Sequence, residues 1–232
     1  MIEFRRASLR YGNERPSLVE TDLEIGPGLT MILGPNGAGK SSLLKLAAGV
    51  ERPWQGQVLI DGHDLWTDEV NSRRRLAYVP EYPDLTPYAT VGEVIQLVCR
   101  LRDMPLIDGD EALARAGLAL ESHKTIRELS LGQRRRALLA AAFIGNAPNV
   151  LLDEPLEGLD RAMQEDLVAW VVGRVGAGGT VLLATHELEP FAALVSRVVA
   201  LRDGATKLLE TVPAALEDRL RFMVALAHGR ST

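Results

Sequence analysis

Aromatic residues and cysteines are scarce in this 232-residue sequence. Phe, Trp and Tyr together make up 5% of the residues, while 47% are hydrophobic, so the core must be built mainly from Leu, Val, Ile and Ala. Cys99 is the only cysteine. An intrachain disulfide is therefore excluded, which favours a reducing, cytoplasmic environment.

Long hydrophobic runs are also absent. The longest, residues 137–144, is much shorter than the roughly 20 residues that a membrane-spanning helix needs. We expect a buried helix there, no signal peptide at residues 1–6, and a separate polypeptide to cross any membrane at which the chain acts. The net charge of −5 provides no general attraction to nucleic acid, so no nucleic-acid partner is expected.

Short apolar runs alternate with helical patterns, which predicts an α/β fold. Residues 29–33, 150–153 and 181–184 are nearly continuous apolar runs, typical of buried central strands in a mainly parallel sheet. The first thirty residues, with a turn at 11–13, and residues 58–60 indicate an N-terminal antiparallel β subdomain. We expect a final helix over 213–227.

Residues 84–147 have a different, helical pattern. Helices are predicted over 90–104, 110–119 and 131–144, with Thr90 and Glu93 spaced as a capping box. We interpret the chain as a single domain, 1–232, in which this helical lobe interrupts a nucleotide-binding core.

A complete phosphate-binding motif follows the first apolar strand. It fits the pattern G-x-x-x-x-G-K-[ST] of a P-loop, whose backbone amides cradle phosphates at a helix N-terminus. Lys40 would neutralise β- and γ-phosphate charge, and Ser41, rather than Ser42, would coordinate Mg²⁺. The motif consists of Gly34, Pro35, Asn36, Gly37, Ala38, Gly39, Lys40 and Ser41, and Ser42 extends the predicted nucleotide site.

Two carboxylates end the strand at 150–153. Ligands of open α/β sheets bind at the carboxyl ends of strands, so Asp153 and Glu154 are well placed to act on a bound nucleotide. We predict that Asp153 holds Mg²⁺ and that Glu154 is the general base that polarises the attacking water.

A second anion site is predicted at Leu129–Gln133. Ser130 and Gln133 are spaced as a capping box, and a helix N-terminus carries free amides and a positive dipole end. Ordinary helix capping and phosphate binding are compatible here. The run Arg134–Arg136 that follows is interpreted as a solvated face with one or two salt bridges.

Together these motifs resemble the nucleotide-binding subunit of an ATP-binding cassette (ABC) transporter. The resemblance covers nearly the whole chain, and it involves the family's motifs in their usual order. It implies an adenine-stacking role for Tyr11, the Q-loop position for Glu81, and signature contacts to nucleotide through Ser130, Gly132 and Gln133. It further implies the D-loop position for Asp160 and the switch position for His186, which would contact the γ-phosphate.

The resemblance also implies an assembly. Two ATP-binding subunits, expected to be identical, would sandwich Mg²⁺-ATP between the P-loop of one and the signature of the other. They would dock on a transmembrane permease at the inner face of the cell membrane. Two residues depart from the family pattern: Leu131 stands where glycine is usual, and Glu81, a further candidate Mg²⁺ ligand, stands where glutamine is usual. Residues 78–81 are similar to exporter subunits for drugs, lipids or sodium.

Two alternatives remain at this point. One is a non-transport ABC-type ATPase of DNA repair or translation, although residues 81–129 are too short for a long coiled coil and the chain has one cassette. The other is a regulatory module in which ATP gates association with little hydrolysis. Intact Lys40, Asp153, Glu154 and His186 argue against such a module, whereas Leu131 and Glu81 keep it open.

Overall fold

The computed structural model describes residues 1–12 and 16–229. Ten strands and seven α-helices occur in this part of the chain. The strands are β1 (Ile2–Leu9), β2 (Leu18–Ile25), β3 (Gly28–Leu33), β4 (Gln55–Ile60), β5 (His63–Asp64), β6 (Leu76–Val79), β7 (Asn149–Asp153), β8 (Thr180–Ala184), β9 (Val195–Arg202) and β10 (Ala205–Leu209). The helices are α1 (Lys40–Ala47), α2 (Glu69–Arg74), α3 (Val91–Arg102), α4 (Leu106–Arg115), α5 (Leu131–Phe143), α6 (Arg161–Gly176) and α7 (Leu216–Ala227).

A six-stranded sheet carries the nucleotide-binding motifs. Its strand order is β10-β9-β3-β8-β7-β6. Strand β3 pairs in parallel with β8 and β9, and β7 pairs in parallel with β8, while β10 forms an antiparallel hairpin with β9. Every residue of β7 and β8 is buried, because central strands of a parallel sheet are covered on both faces. The predicted α/β fold with a mainly parallel sheet is confirmed.

A separate antiparallel sheet has the order β2-β1-β4-β5. Strand β1 pairs with β2 and with β4 in antiparallel register, which confirms the N-terminal antiparallel subdomain. Of the predicted turn, Tyr11 and Gly12 are described, whereas Asn13 lies outside the described residues. One hydrophobic cluster joins the inner faces of both sheets to α1, through residues such as Phe4, Leu44 and Ile60.

Helices α3, α4 and α5 surround a second hydrophobic cluster that includes Ile95, Cys99 and Leu113. The predicted capping box is present at the start of α3, where Thr90 and Glu93 exchange side-chain and backbone hydrogen bonds. At the far end of α5, the half-buried Arg102 donates through its guanidinium to the carbonyls of Ala141 and Ile144.

Several helix boundaries differ from the prediction: α4 begins at Leu106 rather than at 110, and α3 and α5 end at Arg102 and Phe143 rather than at 104 and 144. The helix expected over 110–119 is α4, and it ends at Arg115, because Gly117 adopts a left-handed φ of 65° that stops a right-handed helix. The last helix begins at Leu216 rather than at Pro213.

The chain divides into two compact units. One comprises Val79–Ala147 and Pro155–Leu167, and the other contains the remaining described residues. The helical lobe of residues 84–147 falls within the first of these units, but its boundaries stay a prediction.

Candidate functional site

The P-loop joins β3 to α1. Gly37 and Gly39 have φ values of 77° and 107°, which favour glycine, and a Cβ on Gly39 would lie 2.6 Å from the carbonyl oxygen of Ser17. The Lys40 Nζ donates to the carbonyl of Gly34 at 2.9 Å, so the ammonium lies over the loop itself. The glycine conformations and the lysine beside them are the features of a loop that binds phosphate.

Tyr11 lies beside the beginning of α1. Tyr11 is 37% exposed. Its partial burial raises the pKa of the phenol, a hydrogen bond with Ser42 lowers that pKa, and the nearby Glu51 raises it. The structure therefore brings two predicted nucleotide residues, Tyr11 and Ser42, together. Glu51 is a neighbour that no sequence motif indicated.

The predicted acidic residues meet the predicted switch histidine at one edge of the parallel sheet. Asp153 is the last residue of β7 and pairs with Ala184 of β8, and its side chain is buried. The Glu154 amide donates to the Ala184 carbonyl at 2.8 Å. The Glu154 carboxylate accepts the His186 amide at 3.1 Å and lies 3.4 Å from the His186 Nε2. This sheet register explains why residues 32 positions apart share a site.

Glu154 has a left-handed φ of 45°. A non-glycine residue in this conformation is uncommon, and such strain concentrates at functional positions. Its side chain is largely covered, whereas that of His186 is mostly exposed. Glu154 is thus held in place, while the imidazole is open to a bound ligand.

The signature segment forms the N-terminus of α5. Ser130 Oγ accepts the Gln133 amide at 3.2 Å, and Gln133 Oε1 accepts the Ser130 amide at 3.0 Å, which confirms the predicted capping box. The Leu131 side chain is 69% exposed. Gly132 lies close to the chain at 158, since a Cβ on Gly132 would be 3.4 Å from the Gly158 carbonyl oxygen.

The three arginines that follow do not form a solvated face. Arg134 donates to the carbonyls of Ile126, Arg127 and Leu129. Arg135 is only 3% exposed and donates through Nη1 to the carbonyls of Pro80 and Glu81. The interpretation of this run as a solvated face is therefore wrong, since Arg135 is buried, but one expected salt bridge is present between Arg136 and Asp160. The hydrophilic pattern of the run gave no signal of burial.

Asp160 directly precedes α6 and pairs with Arg136 of α5. Its Oδ1 accepts the Met163 amide at 3.0 Å, and its carboxylate forms an ion pair with Arg136. The hydrogen bond from Met163 is the main reason that the Asp160 pKa is lowered, and Arg136 lowers it further. The predicted D-loop residue is therefore attached to the signature helix.

Glu81 lies in the same compact unit as the signature. The main-chain carbonyl of Glu81 accepts a hydrogen bond from Arg135. The Glu81 carboxylate raises the pKa of Tyr82, first through a hydrogen bond and second through its negative charge. The role of Glu81 as an Mg²⁺ ligand stays a prediction.

The residues of the predicted Mg²⁺ site fit a hard cation. Ser41 lies in the first turn of α1, and Asp153 is the last residue of β7, against which α1 packs. Two adjoining elements thus carry a hydroxyl and a carboxylate, and oxygens are the ligands that Mg²⁺ prefers. Within residues 1–12 and 16–229, His, Cys, Asp and Glu form no group of three or more suited to a metal.

Across the part of the chain that the structure describes, we find no helix both long and apolar enough to cross a membrane.

Comparisons with known proteins agree with this geometry. A family model described as ABC transporter matches residues 19–157. The SkfA peptide export ATP-binding protein SkfE of Bacillus subtilis (strain 168) is 32% identical over 180 residues, covering 76% of this chain and 74% of that protein. The thiamine import ATP-binding protein ThiQ of Mesorhizobium japonicum is 36% identical over 208 residues, covering 88% and 81%.

Two solved structures of ATP-binding cassettes have a similar fold. A dimeric post-hydrolysis state of the ATP-binding cassette MJ0796 bound to ADP and Pi has a TM-score of 0.79 and 25% identity, covering 92% of this chain and 100% of that one. The structure of an ATP binding subunit of an ABC transporter has a TM-score of 0.82 at 24% identity, covering 90% of each chain. The chain therefore belongs to the ABC transporter family, as an ATP-binding subunit with ATPase activity.

Proposed function

We propose that two copies of this chain close around two molecules of Mg²⁺-ATP, hydrolyse them, and drive transport through a separate membrane permease. The observation that carries this proposal is the Glu154–His186 pair at the edge of the parallel sheet that also carries the P-loop. The dimeric MJ0796 cassette, which covers 92% of the chain, supports the arrangement of two copies.

The P-loop binds and orients the ATP phosphates. Its amides and Lys40 lie where they would neutralise negative charge, and the Lys40 contact with the Gly34 carbonyl would be exchanged for contacts with phosphate oxygens. Mg²⁺, held by Ser41 and Asp153 and, as predicted, Glu81, would supply charge neutralisation for the phosphoryl group. Tyr11 would stack on the adenine, because its ring lies beside Ser42.

Glu154 is the general base in this proposal. Its carboxylate is held by the His186 amide and would accept a proton from the attacking water, while the exposed His186 ring contacts the γ-phosphate. Catalysis of phosphoryl transfer depends mostly on such positioning and on charge stabilisation.

The Glu154→Gln variant tests this role. We expect ATPase turnover to fall at least about a hundredfold, because an amide cannot accept the proton, while ATP affinity, measured by titration with a fluorescent nucleotide, stays within about twofold. Glu189→Gln, which neutralises an exposed carboxylate three residues after His186 in the chain, is the control and should retain the parental rate. Parental turnover in Glu154→Gln would refute the assignment of Glu154.

Completion of the site requires the second subunit. Ser130, Gly132 and Gln133 lie at the capped N-terminus of α5, where the helix dipole favours an anion, and they would contact the γ-phosphate bound to the partner's P-loop. Asp160 would lie at the same interface. ATP-dependent dimers should therefore accumulate in Glu154→Gln, as measured by light scattering with and without Mg²⁺-ATP. A monomer at saturating ATP would contradict the sandwich.

The permease would dock on the helical unit. A groove of about 520 Å³ lies along the start of α3, next to the segment that follows Glu81, the region where family members meet their membrane subunits. Leu97 presents an exposed apolar side chain there. The groove is lined by Thr86, Ala89, Glu93, Val94, Gln96, Leu97 and Arg100.

Leu97→Glu separates docking from hydrolysis. We expect the variant to keep the ATPase rate of the isolated subunit but to lose co-purification with its permease and association with the inner face of the membrane. Leu120→Glu, at an exposed leucine outside the groove, is the matched control. Co-purification of Leu97→Glu at the parental yield would place the docking surface elsewhere.

Export is the direction of transport that the similarity of residues 78–81 to exporter subunits favours, and ATP-dependent uptake into inverted membrane vesicles would test it.

A further inference from the structure

Arg135 is a buried charge with a defined target. Its side chain is 3% exposed, and its Nη1 donates to the Pro80 carbonyl at 2.5 Å and also to the Glu81 carbonyl. Both acceptors are main-chain groups of the segment that carries the predicted Q-loop residue. A buried guanidinium is costly unless its donors are satisfied, so this contact constrains the backbone at residues 80–81.

The helix that carries Arg135 is fixed at both ends. At its start, the Ser130–Gln133 capping box closes the first turn, and Arg136 pairs with Asp160. At its end, Arg102 of α3 donates to the Ala141 and Ile144 carbonyls. A helix held in this way moves as a rigid element, and whatever is bonded to it moves with it.

Arg135 and Ser130 stand less than two turns apart on that helix. Ser130 is the residue assigned to the ATP of the second subunit, and Glu81 is the residue assigned to Mg²⁺ of its own subunit. A displacement of the α5 N-terminus therefore reaches the Glu81 backbone through one side chain, with no intervening loop.

We propose that Arg135 is a positioning residue that makes the Pro80–Glu81 segment follow α5, so that engagement of Ser130 by the partner's ATP sets the position of Glu81. This inference rests on the proposed function for the role of Ser130 and Glu81. Arg135 itself touches neither nucleotide nor water in this mechanism, and it acts only through the two carbonyls that it holds.

The mechanical part is tested by amide hydrogen exchange in the nucleotide-free protein. Arg135→Lys keeps the charge but loses the planar fork, and we expect exchange at residues 81–85 to rise about tenfold, as for the loss of one charge-assisted hydrogen bond. The control is Arg102→Lys, which removes the same kind of guanidinium–carbonyl contact from the other end of α5 and should leave hydrogen exchange at residues 81–85 unchanged. Equal exchange in Arg135→Lys and in the parent would overturn the inference.

Kinetics test the coupling. Arg135→Lys should lower kcat about tenfold with unchanged affinity for ATP, and in a Glu81→Ala background it should lower kcat by less than about twofold, because residues acting through one group are not additive. Arg102→Lys should have the same effect in both backgrounds. Additive effects of Arg135→Lys and Glu81→Ala would contradict the proposal.

A second variant protects the test against a folding defect. Arg135→Met replaces the buried charge by an apolar side chain of similar length, a change that proteins often tolerate, and the same exchange and kinetic results are expected from it. A parent chain without ATPase activity would refute the proposed function alone, since the exchange experiment would still decide whether Arg135 holds residues 80–81.

Discussion

Leu131 extends its side chain into solvent from the first position of α5, immediately after the residue that caps the helix. The capping box is made by Ser130 and Gln133 alone, so the departure from glycine affects the surface of the anion site rather than the capping box. The Leu131 side chain would therefore affect the approach of the partner subunit's ATP rather than the folding of α5.

Leu131→Gly should raise dimer-dependent turnover by about threefold or more, because a bulky side chain at a tight contact costs free energy. ATP affinity of the monomer should stay unchanged. Turnover measured against protein concentration, together with nucleotide titration, checks both expectations. Leu120→Gly, at another exposed leucine, controls for the added flexibility. A large change in monomer affinity would show that the signature acts within one subunit.

Asn149 is a residue that motif analysis overlooked. It is completely buried, and its Nδ2 donates to Asp61 at 2.9 Å and to the Arg75 carbonyl at 3.1 Å. Asn149→Ala should lower the free energy of unfolding by about 2–4 kcal/mol, since it removes the hydrogen bonds of a completely buried side chain and leaves a cavity in its place. Urea denaturation measures this change. Asn71→Ala, at an exposed amide bonded to Asp68, should change stability by less than about 0.5 kcal/mol.

Single residues also show how far the sequence could be interpreted. Ser130 and Gln133 were predictable because a capping box depends on local spacing. The burial of Arg135 was not, because consecutive residues on a helix point about 100° apart and only the tertiary fold decides which of three arginines faces inward.

Among the elements, α3 and α4 approach closely at a glycine. A Cβ on Gly109 would lie 2.7 Å from Ile95 and 3.0 Å from the Cys99 sulfur. Gly109→Ala should therefore destabilise the protein by about 1–3 kcal/mol through overpacking. Gly173→Ala in α6, where a Cβ would meet nothing within 4 Å, should instead stabilise it by about 0.5–1 kcal/mol. Thermal unfolding of the two variants provides the comparison, and a stabilising Gly109→Ala would refute the close packing.

The capping box at the start of α3 makes the helical unit sensitive to acid. The Thr90 amide and hydroxyl lower the Glu93 pKa below its ordinary value of 4.5. This contribution is complete above the pKa of the unfolded chain and is lost as the pH falls through the lower pKa of the folded state. The stability of Glu93→Gln should therefore depend less on pH below about 4.5, which melting temperatures from pH 3 to 7 would reveal. An unchanged pH dependence would rule out the box as the source.

Helix ends were predicted less well than helix positions. The pattern of apolar residues placed α4 and α7 correctly along the chain, but their ends depend on single backbone conformations. The left-handed Gly117 is an example, because glycine also occurs inside helices and loops without ending them.

At the scale of the whole molecule, the parallel register β3-β8-β7 assembles the site. The pairing of Asp153 with Ala184 places Glu154 next to His186, and the sequence indicated each residue but not their contact. Such long-range pairings follow from the packing of crossover helices rather than from local propensity, so a single sequence identifies the participants and leaves the geometry undetermined.

Cys99 leaves the surface of this chain without a native thiol that labelling reagents could reach, because it is the only cysteine and is buried. It is the only cysteine, it is buried between α3 and α4, and burial raises its thiol pKa, so it reacts slowly while the helical unit is closed. Any cysteine introduced on the surface is then the one rapidly modified thiol. Pairs of spectroscopic labels can thus be placed on the two compact units without first removing a native residue, and distances between them can be followed through the ATP cycle.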